Sequence, residues 1–330
     1  MATLKDVATL AGVTVTTVSR MLNNKANVSE KTKKKIYDAM ESLDYMPNEL
    51  ARSLITKKSN VIGLIVPSAM NFFFAILIQY IEEYISAHNY KLLLCVSDLD
   101  VDKERDYFSM LKANRVSGVI LTSRTKDIGK FLNFQAPITT IERTLSDDIP
   151  SISSDNYTGG SLAANHLIEC GCKNLIYIGS SPELIDMEAN KRFKGFSDTL
   201  RQAGIKESIV VHAAERDFIN LSYANVIEKL FKKYPKTDGI FASNDVIAAQ
   251  VLQYCYKNSI NVPAQMKIVG YDDAGLAALT SPTLTTIRQP IKEMCKAAVE
   301  SIIRQVEGEM APKKVVFPVK LIVRESSKTV

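Results

Sequence analysis

The side chains best suited to hold a polar ligand come directly after predicted buried strands. Carboxylate, amide, hydroxyl and guanidinium groups occur there together: Ser68, Glu142, Asn244, Asp245 and Asp272, with Arg192 near the start of a helix. Ligands of open parallel sheets bind beyond the carboxyl ends of the strands, so we expect these groups to converge on one cleft. Such a set can hold several hydroxyls of one polyol through charge-assisted hydrogen bonds.

A plainer explanation exists for single members of this set. An acid or amide after a strand often caps the next helix, and for Asn244 or Asp245 alone a cap is the better interpretation. The whole set together favours binding. Phe72, Phe73 and Phe74 offer an apolar face for a sugar ring, and we include Gln289 in the same predicted site.

A different chemistry is predicted at the N-terminus, over Thr3–Leu22. Thr3 and Asp6 have the spacing of a capping box, and apolar residues then recur at helical spacing. Gly12 can end this helix in the left-handed region, and Thr14 can cap a second helix. Two short helices joined by such a turn form a helix-turn-helix, although small helical bundles also contain this pattern.

The charge of the chain is concentrated in the same region. Residues 1–58 hold ten Lys and Arg against six Asp and Glu, which is +4 of the formal +5 of the 330-residue chain. A basic head on a nearly neutral body indicates a module that binds a polyanion and a second part with a separate role. Lys31–Lys35 alone would be explained as well by a solvated helix face.

From Val61 onward the pattern alternates buried strands and amphipathic helices, which predicts parallel sheets covered on both faces. The predicted fold class is an all-α helix-turn-helix head plus an α/β body of two doubly wound parallel-sheet subdomains. Links between the two α/β units are predicted near Ser153–Thr158 and Leu284–Gln289.

Enzyme and metal chemistry find little support in the sequence. The three histidines lack metal-ligand spacing, and neither a nucleophile elbow nor a phosphate-binding glycine motif occurs. The five cysteines are expected to be reduced and buried, and Cys170-Gly-Cys172 lacks a second pair that would complete a metal site. We expect no cofactor. Without a signal-peptide pattern or a long apolar segment, the expected location is the cytoplasm.

The sequences of several segments are similar to those of one protein family. "LKDVATLAGVTVTTVSRMLNN", "VSEKTKKKI" and "LDYMPNELARSL" resemble the lactose/galactose repressor (LacI/GalR) family over the first sixty residues. "FASND", "IVGYDD", "KRFKGF" and "TTIER" resemble its effector-binding segments, and the chain is most similar to ribose- and sucrose-operon repressors. This resemblance implies a sugar-binding body like that of periplasmic binding proteins.

The resemblance also assigns expected roles in the sugar site. It places Asn244 and Asp245, Asp272 and Arg192 against the effector. Glu142 stands where an aspartate is usual in the family, so the edge of the pocket and the bound sugar are expected to differ. Phe218 aligns with a position that stacks on the ligand in purine-responsive members.

For DNA, the resemblance implies a dimer on a pseudo-palindromic operator. Val15, Thr16 and Arg20 are expected to read base edges, while phosphates are held by Thr14, Thr17, Ser19 and Asn23. The segment 48–56 is too short to stay helical alone in water, and the family uses it as a hinge helix whose leucine, here Leu54, wedges into the minor groove. Further predicted DNA contacts are Thr3, Asn27, Asn48 and Ala51.

The resulting domain prediction has three parts. Residues 1–46 form the head, 47–59 the hinge helix and linker, and 60–330 the effector-binding and dimerisation domain. Within the last, one subdomain covers about 60–157 plus 290–318 and the other about 158–287 plus 319–330. The chain ends soon after the last strand without a heptad tail, so a homodimer is expected.

The predicted function is a repressor of a carbohydrate-utilisation operon that a small sugar releases from its operator. The nearest alternative is a corepressed regulator of the same family, in which the ligand strengthens DNA binding. An enzyme and a secreted sugar carrier are more distant alternatives. Turnover of sugars would support the first, while the basic head and the missing signal pattern argue against the second.

Overall fold

The computed structural model describes residues 2–22, 28–46, 59–126, 128–131, 134–180, 187–205 and 209–328. The chain divides into two compact units, Met1–Ser59 and Asn60–Val330. Five of the predicted DNA contacts lie outside the described residues: Asn23, Asn27, Asn48, Ala51 and Leu54.

In chain order, the elements are α1 (Leu4–Ala11), α2 (Val15–Leu22), α3 (Glu30–Ser42), β1 (Val61–Val66), α4 (Phe72–Ala87), β2 (Lys91–Val96), α5 (Val101–Ala113), β3 (Gly118–Leu121), a 3-10 turn (Ile128–Phe131), β4 (Ile138–Ile141), β5 (Ser151–Ser154), α6 (Asn156–Glu169), β6 (Leu175–Ser180), α7 (Asn190–Gln202), β7 (Ile209–Ala213), α8 (Glu215–Ile219), α9 (Ala224–Lys233), β8 (Gly239–Ala242), α10 (Asp245–Lys257), β9 (Lys267–Asp272), α11 (Leu276–Leu279), β10 (Thr285–Arg288), α12 (Ile291–Glu307), β11 (Lys314–Phe317) and β12 (Lys320–Ile322).

Local hydrogen bonds fix the first helix of the head at both ends. The Thr3 hydroxyl accepts from the backbone N–H of Asp6 at 3.3 Å, and the Asp6 carboxylate accepts from the backbone N–H of Thr3 at 2.8 Å. Gly12 then takes φ 65°, the left-handed conformation that a side chain would strain. The predicted capping box and glycine stop are therefore confirmed.

The three head helices share one small apolar core. Its buried members are Val7, Ala8, Ala11, Val18, Met21, Ile36 and Ala39. These residues recur at helical spacing along α1, α2 and α3, so each helix turns one stripe inward. The opposite face of α2 remains available for other contacts.

The second unit contains two six-stranded sheets. The first has the order β11-β5-β4-β3-β1-β2 and is parallel throughout. The second has the order β12-β10-β9-β8-β6-β7, and its only antiparallel pair among the described strands is β10 with β12. We call the first sheet with α4, α5 and α12 the first lobe, and the second sheet with α6–α11 the second lobe. The predicted fold class is confirmed.

The chain passes between the lobes after β5, after β10 and between β11 and β12. The sequence prediction treated the first two passages as links and missed the strands β5 and β10. These strands are rich in buried hydroxyls that are paired: the Thr286 hydroxyl donates to Asp245 at 2.6 Å, and the Ser154 hydroxyl donates to Glu142 at 3.0 Å. A buried hydroxyl with a partner is tolerated in a core, so a polar segment can still be a strand.

Within the described ranges, no helix combines the length and the apolar composition that a membrane span requires.

Helices α6 and α7 approach each other more closely than side chains would allow. A Cβ on Gly160 would lie 1.9 Å from the backbone oxygen of Arg192, and a Cβ on Gly195 would lie 2.0 Å from the backbone oxygen of Tyr157. Both contacts are to backbone, which cannot rotate away. Glycine at these two positions therefore allows the backbones of α6 and α7 to lie in contact, which places Arg192 of α7 beside α6.

We expect Gly195→Ala to lower the free energy of unfolding by about 1–3 kcal/mol, because the new methyl overpacks the α6–α7 contact. Urea denaturation of the full chain measures this. Gly129→Ala is the matched control, since a Cβ there meets nothing within 4 Å. An equal loss of stability in the two variants would contradict the proposed role of the helix contact.

Candidate functional sites

A cavity lies where the two lobes face each other. Its volume is about 110 Å³. The first lobe lines it with Asn71, Phe73, Phe74, Thr122, Arg124, Ile141 and Glu142. The second lobe, with the residues just before α7, lines the cavity with Tyr177, Met187, Ala189, Asn190, Arg192, Phe193, His212, Phe218, Ser243, Asn244 and Asp272.

Seven of the ten residues predicted for the effector site line this cavity: Phe73, Phe74, Glu142, Arg192, Phe218, Asn244 and Asp272. The other three, Ser68, Asp245 and Gln289, are buried nearby but are not part of its lining. The Ser68 hydroxyl accepts a hydrogen bond from the Met70 N–H at 3.2 Å in its own loop.

Arg192 makes four polar contacts with the residues around the cavity. Its Nε donates to Asn156 Oδ1 at 2.6 Å, and its Nη1 donates to the backbone oxygen of Ser243 at 2.6 Å. Carboxylate oxygens of Glu142 and Asp272 lie 3.6 and 3.8 Å from its guanidinium nitrogens. The buried cation is therefore paired by groups from both lobes.

An aromatic ring also supports this guanidinium. The Cζ atom of Arg192 lies 3.6 Å from the centroid of the Tyr271 ring, a stacked position that favours the charged form. Burial lowers the pKa of Arg192, yet Tyr271, Asp272 and Glu142 together raise that pKa above its usual value. The side chain is therefore a fixed cation.

Glu142 owes its position to backbone geometry and to the polar strand β5. Its φ of 59° lies in the left-handed region, which turns the side chain at the end of β4. The carboxylate accepts from the Ser154 N–H at 2.7 Å and from Asn156 Nδ2 at 2.8 Å. With the Ser154 hydroxyl, these make three donors beside Arg192, which explains why a charge is tolerated at a buried residue.

Asp272 ends β9 with φ 110°, an unusual conformation for a non-glycine residue. Gln289 does not reach the cavity itself, but its Nε2 donates to Asp272 Oδ1 at 2.6 Å. Burial raises the pKa of Asp272 to about 7, against the opposing effects of Arg192 and Gln289. Gln289 therefore acts on the cavity through Asp272.

Asn244 and Asp245 are neighbours with different surroundings. Asn244 caps α10 by accepting from the Ile247 N–H at 2.9 Å, and it also lines the cavity. The Asp245 carboxylate accepts from the Thr286 hydroxyl at 2.6 Å and from the Ala274 N–H at 3.2 Å. Burial, reinforced by Asp272, raises the pKa of Asp245. These contacts give Asp245 a structural role within the second lobe.

Aromatic rings close one side of the cavity. Phe74 of the first lobe packs edge-to-face on Phe218 of α8, with ring centroids 6.2 Å apart. Phe73 packs on Phe74 in the same way at 5.1 Å. Phe218 thereby joins the apolar core cluster of the first lobe.

Several lining residues are absent from the sequence prediction, and Arg124 is the most polar of them. It follows β3, so the rule that selected groups after strand ends would have found it there. Asn71, Asn190 and His212 carry no comparable signal, because a single amide or a histidine in a strand fits many structural roles.

In the head, the outward face of α2 presents the predicted reading residues. Val15, Thr16 and Arg20 are exposed, whereas Ser19 and Thr17 are half-buried. The Thr14 and Thr17 hydroxyls lie 2.8 Å apart, and Thr14 accepts from the Thr17 N–H at 3.1 Å. Thr3 is exposed as well as being the cap of α1.

Comparisons with known proteins agree with both parts of this arrangement. Residues 3–48 match the profile of the bacterial regulatory proteins of the lacI family, and residues 164–327 match a periplasmic binding protein-like domain. The chain is 38% identical to the sucrose operon repressor of Streptococcus mutans serotype c, over 99% of each chain. It is 36% identical to the ribose operon repressor of Bacillus subtilis, again over 99% of each.

A solved structure shares the body. It is a periplasmic binding protein/LacI transcriptional regulator from Alkaliphilus metalliredigens in complex with D-xylulofuranose. That chain superimposes with a TM-score of 0.73 at 34% identity, covering 82% of this chain and 100% of the other. The fold and the matches define a bacterial transcriptional regulator with a helix-turn-helix head. The chain belongs to the lacI family, and the predicted similarity to ribose and sucrose operon repressors is confirmed.

The raised pKa of Asp272 predicts a pH dependence of stability. Its carboxyl holds a proton up to about pH 7 in the folded chain but loses it near pH 4 when unfolded, so its contribution to stability falls as pH rises across that window. Asp272→Asn should remove this loss. We expect the variant to gain at least about 1 kcal/mol relative to the wild type between pH 4 and pH 8.

Urea unfolding of both proteins at several pH values measures this difference. Because Asp272 raises the pKa of Asp245, the same comparison is also made in an Asp245→Asn background. A difference that stays constant from pH 4 to pH 8 would show that Asp272 is ionised throughout.

Proposed function

We propose that this chain is a sequence-specific DNA-binding repressor of a carbohydrate-utilisation operon, and that a small sugar in the cavity releases it from operator DNA. The observation that carries the proposal is the full-length similarity to sucrose and ribose operon repressors. The polar cavity between the lobes supports it, because carboxylates, amides and a guanidinium are suited to sugar hydroxyls.

The head would read DNA through α2. Arg20 can donate two hydrogen bonds to guanine, Thr16 can donate or accept at a base edge, and Val15 can pack on a thymine methyl. The hydroxyls of Thr14, Thr17 and Ser19 would hold phosphates, which position the helix without reading sequence. The hinge contacts of Asn48, Ala51 and Leu54 belong to the same proposal.

The cavity would couple sugar binding to the relation between the lobes. Beside the cavity, two hydrogen bonds join the lobes. The Glu188 N–H donates to the backbone oxygen of Glu142 at 3.0 Å, and the Thr144 hydroxyl donates to Glu188 at 2.9 Å. A ligand that bridges both walls changes the balance between lobe arrangements by its differential affinity for them. Coupling of this kind is typically about 1–3 kcal/mol.

A homodimer fits this function, since two identical heads match the two halves of a pseudo-palindromic operator. The chain would act in the cytoplasm, where the bacterial chromosome lies, and it would turn over no substrate. The relatives that it matches are repressors. One relative, named the transcriptional repressor PurR of Aliivibrio salmonicida, is 32% identical over 94% of this chain, so the opposite sign of ligand coupling is the second candidate.

The decisive experiment titrates the full-length protein against labelled duplexes and measures fluorescence anisotropy. An operator is first selected by the wild type from random palindromic duplexes. Ribose, sucrose, fructose and their phosphates are then added to the complex. Weaker binding with one of them supports release by a sugar, stronger binding supports corepression, and no preference for any duplex contradicts the function.

Arg20→Lys tests the proposed reading of base edges. Lysine keeps the charge but loses the planar fork, so affinity for the selected operator should fall by about 5- to 150-fold, corresponding to about 1–3 kcal/mol. Binding to random-sequence DNA and its salt dependence should not change, because one charge replaces another. An equal loss on both duplexes would mean that Arg20 contacts phosphate only.

A further inference from the structure

Arg124 lies on the loop after β3 and lines the cavity from the first lobe. Its Cζ atom is 4.8 Å from the centroid of the Phe218 ring, so the guanidinium is stacked on an aromatic face. Within the described part of the chain, its charged group has neither an ion pair nor a hydrogen bond. The two other arginines nearby are different: Arg192 has carboxylate partners, and Arg143 donates to the backbone oxygen of Ser123 at 2.9 Å.

The surroundings make this cation costly without a ligand. Burial lowers the pKa of Arg124, and the like charges of Arg192 and Arg143 lower it further, while Tyr223 and Glu215 oppose them. Arginine nevertheless stays charged at neutral pH. The side chain is half-buried and faces the cavity, so a ligand group that is either negative or rich in acceptors can reach its guanidinium.

Charge is unevenly distributed along the cavity. At the Arg192 end, one guanidinium faces the two carboxyl groups of Glu142 and Asp272, so a negative ligand group would be repelled there once Asp272 is ionised. At the Arg124 end, a guanidinium is stacked on Phe218, and no described residue forms a hydrogen bond or an ion pair with its N–H groups. An anionic group is therefore favoured at the Arg124 end, and hydroxyl groups are favoured at the Arg192 end.

We infer that the effector is an acidic sugar derivative, carrying a phosphate or a carboxylate, and that Arg124 binds this anionic group. The inference rests on the proposed function of the cavity and makes its ligand class narrower. Stacking on Phe218 holds the guanidinium plane, and a fixed plane with parallel N–H groups matches the oxygen pair of a phosphate or carboxylate. Arg192, Asp272 and Asn244 would then hold the hydroxyls of the sugar.

Isothermal titration calorimetry of the full chain tests this with matched ligands. The neutral sugars are ribose, glucose, fructose and sucrose, the phosphates are ribose 5-phosphate, fructose 6-phosphate and sucrose 6-phosphate, and the carboxylates are ribonate and gluconate. Inorganic phosphate alone is the reference for the anion. We expect one acidic derivative to bind at least about tenfold tighter than its neutral parent, since a charge-assisted pair contributes about 1.5–3 kcal/mol. The phosphate and carboxylate arms decide which anion is used.

Variants assign the preference to one side chain. Arg124→Gln should reduce the ratio of acidic to neutral affinity to about one, and Arg124→Lys should keep part of the preference. Arg304→Gln is the matched control, because Arg304 is exposed on α12, outside the cavity. Arg124→Gln removes a half-buried cation that lies near the like charges of Arg192 and Arg143, so its melting temperature should not fall.

The possible results separate the two proposals. A neutral sugar that binds the wild type as tightly as its phosphate or acid overturns the inference and leaves the sugar-responsive repressor standing. A preference that survives in Arg124→Gln overturns the assignment to Arg124. If no sugar of either class binds and operator affinity does not respond to any of them, the proposed function fails, and the inference fails with it.

Discussion

The structure of the cavity between the lobes depends on one buried cation. Arg192 comes from α7, but the groups that surround its guanidinium come from α6, the loop after β8, the end of β9 and, in the first lobe, the end of β4. A buried charge is stable only when it is paired and hydrogen-bonded, so these elements must keep their positions together. Gly160 and Gly195 matter for the same reason, because they allow α6 and α7 to lie close enough for Asn156 to reach Nε.

This arrangement gives the two lobes a shared site without a large shared apolar core around the ligand. Arg192 approaches Glu142 across the cavity, and Phe218 packs on Phe74. Ligand hydroxyls can take the place of some of these polar partners while the buried cation stays paired. A ligand can therefore change the relation between the lobes with the few kcal/mol that binding provides.

Much of this could be predicted from the sequence because it follows local rules. Capping, the glycine stop and the apolar stripes of the head are encoded within a few residues of each other, and the strand-end rule selected Glu142, Asn244 and Asp272 from the polar lining. The polar strands β5 and β10 were missed because their burial depends on partners far away in sequence, such as Glu142 and Asp245. Whether a residue such as Gln289 lines a cavity or supports Asp272 also depends on tertiary contacts that spacing does not contain.

The most direct test of this account is the effect of Arg192→Gln on ligand-dependent operator binding by the full-length protein. Operator affinity is measured by anisotropy with and without the sugar that acts on the wild type. The account predicts that ligand-free affinity stays within about threefold of the wild type, because the head folds on its own apolar core, and that the ligand no longer changes it. A full ligand response in this variant would show that the cavity does not depend on Arg192.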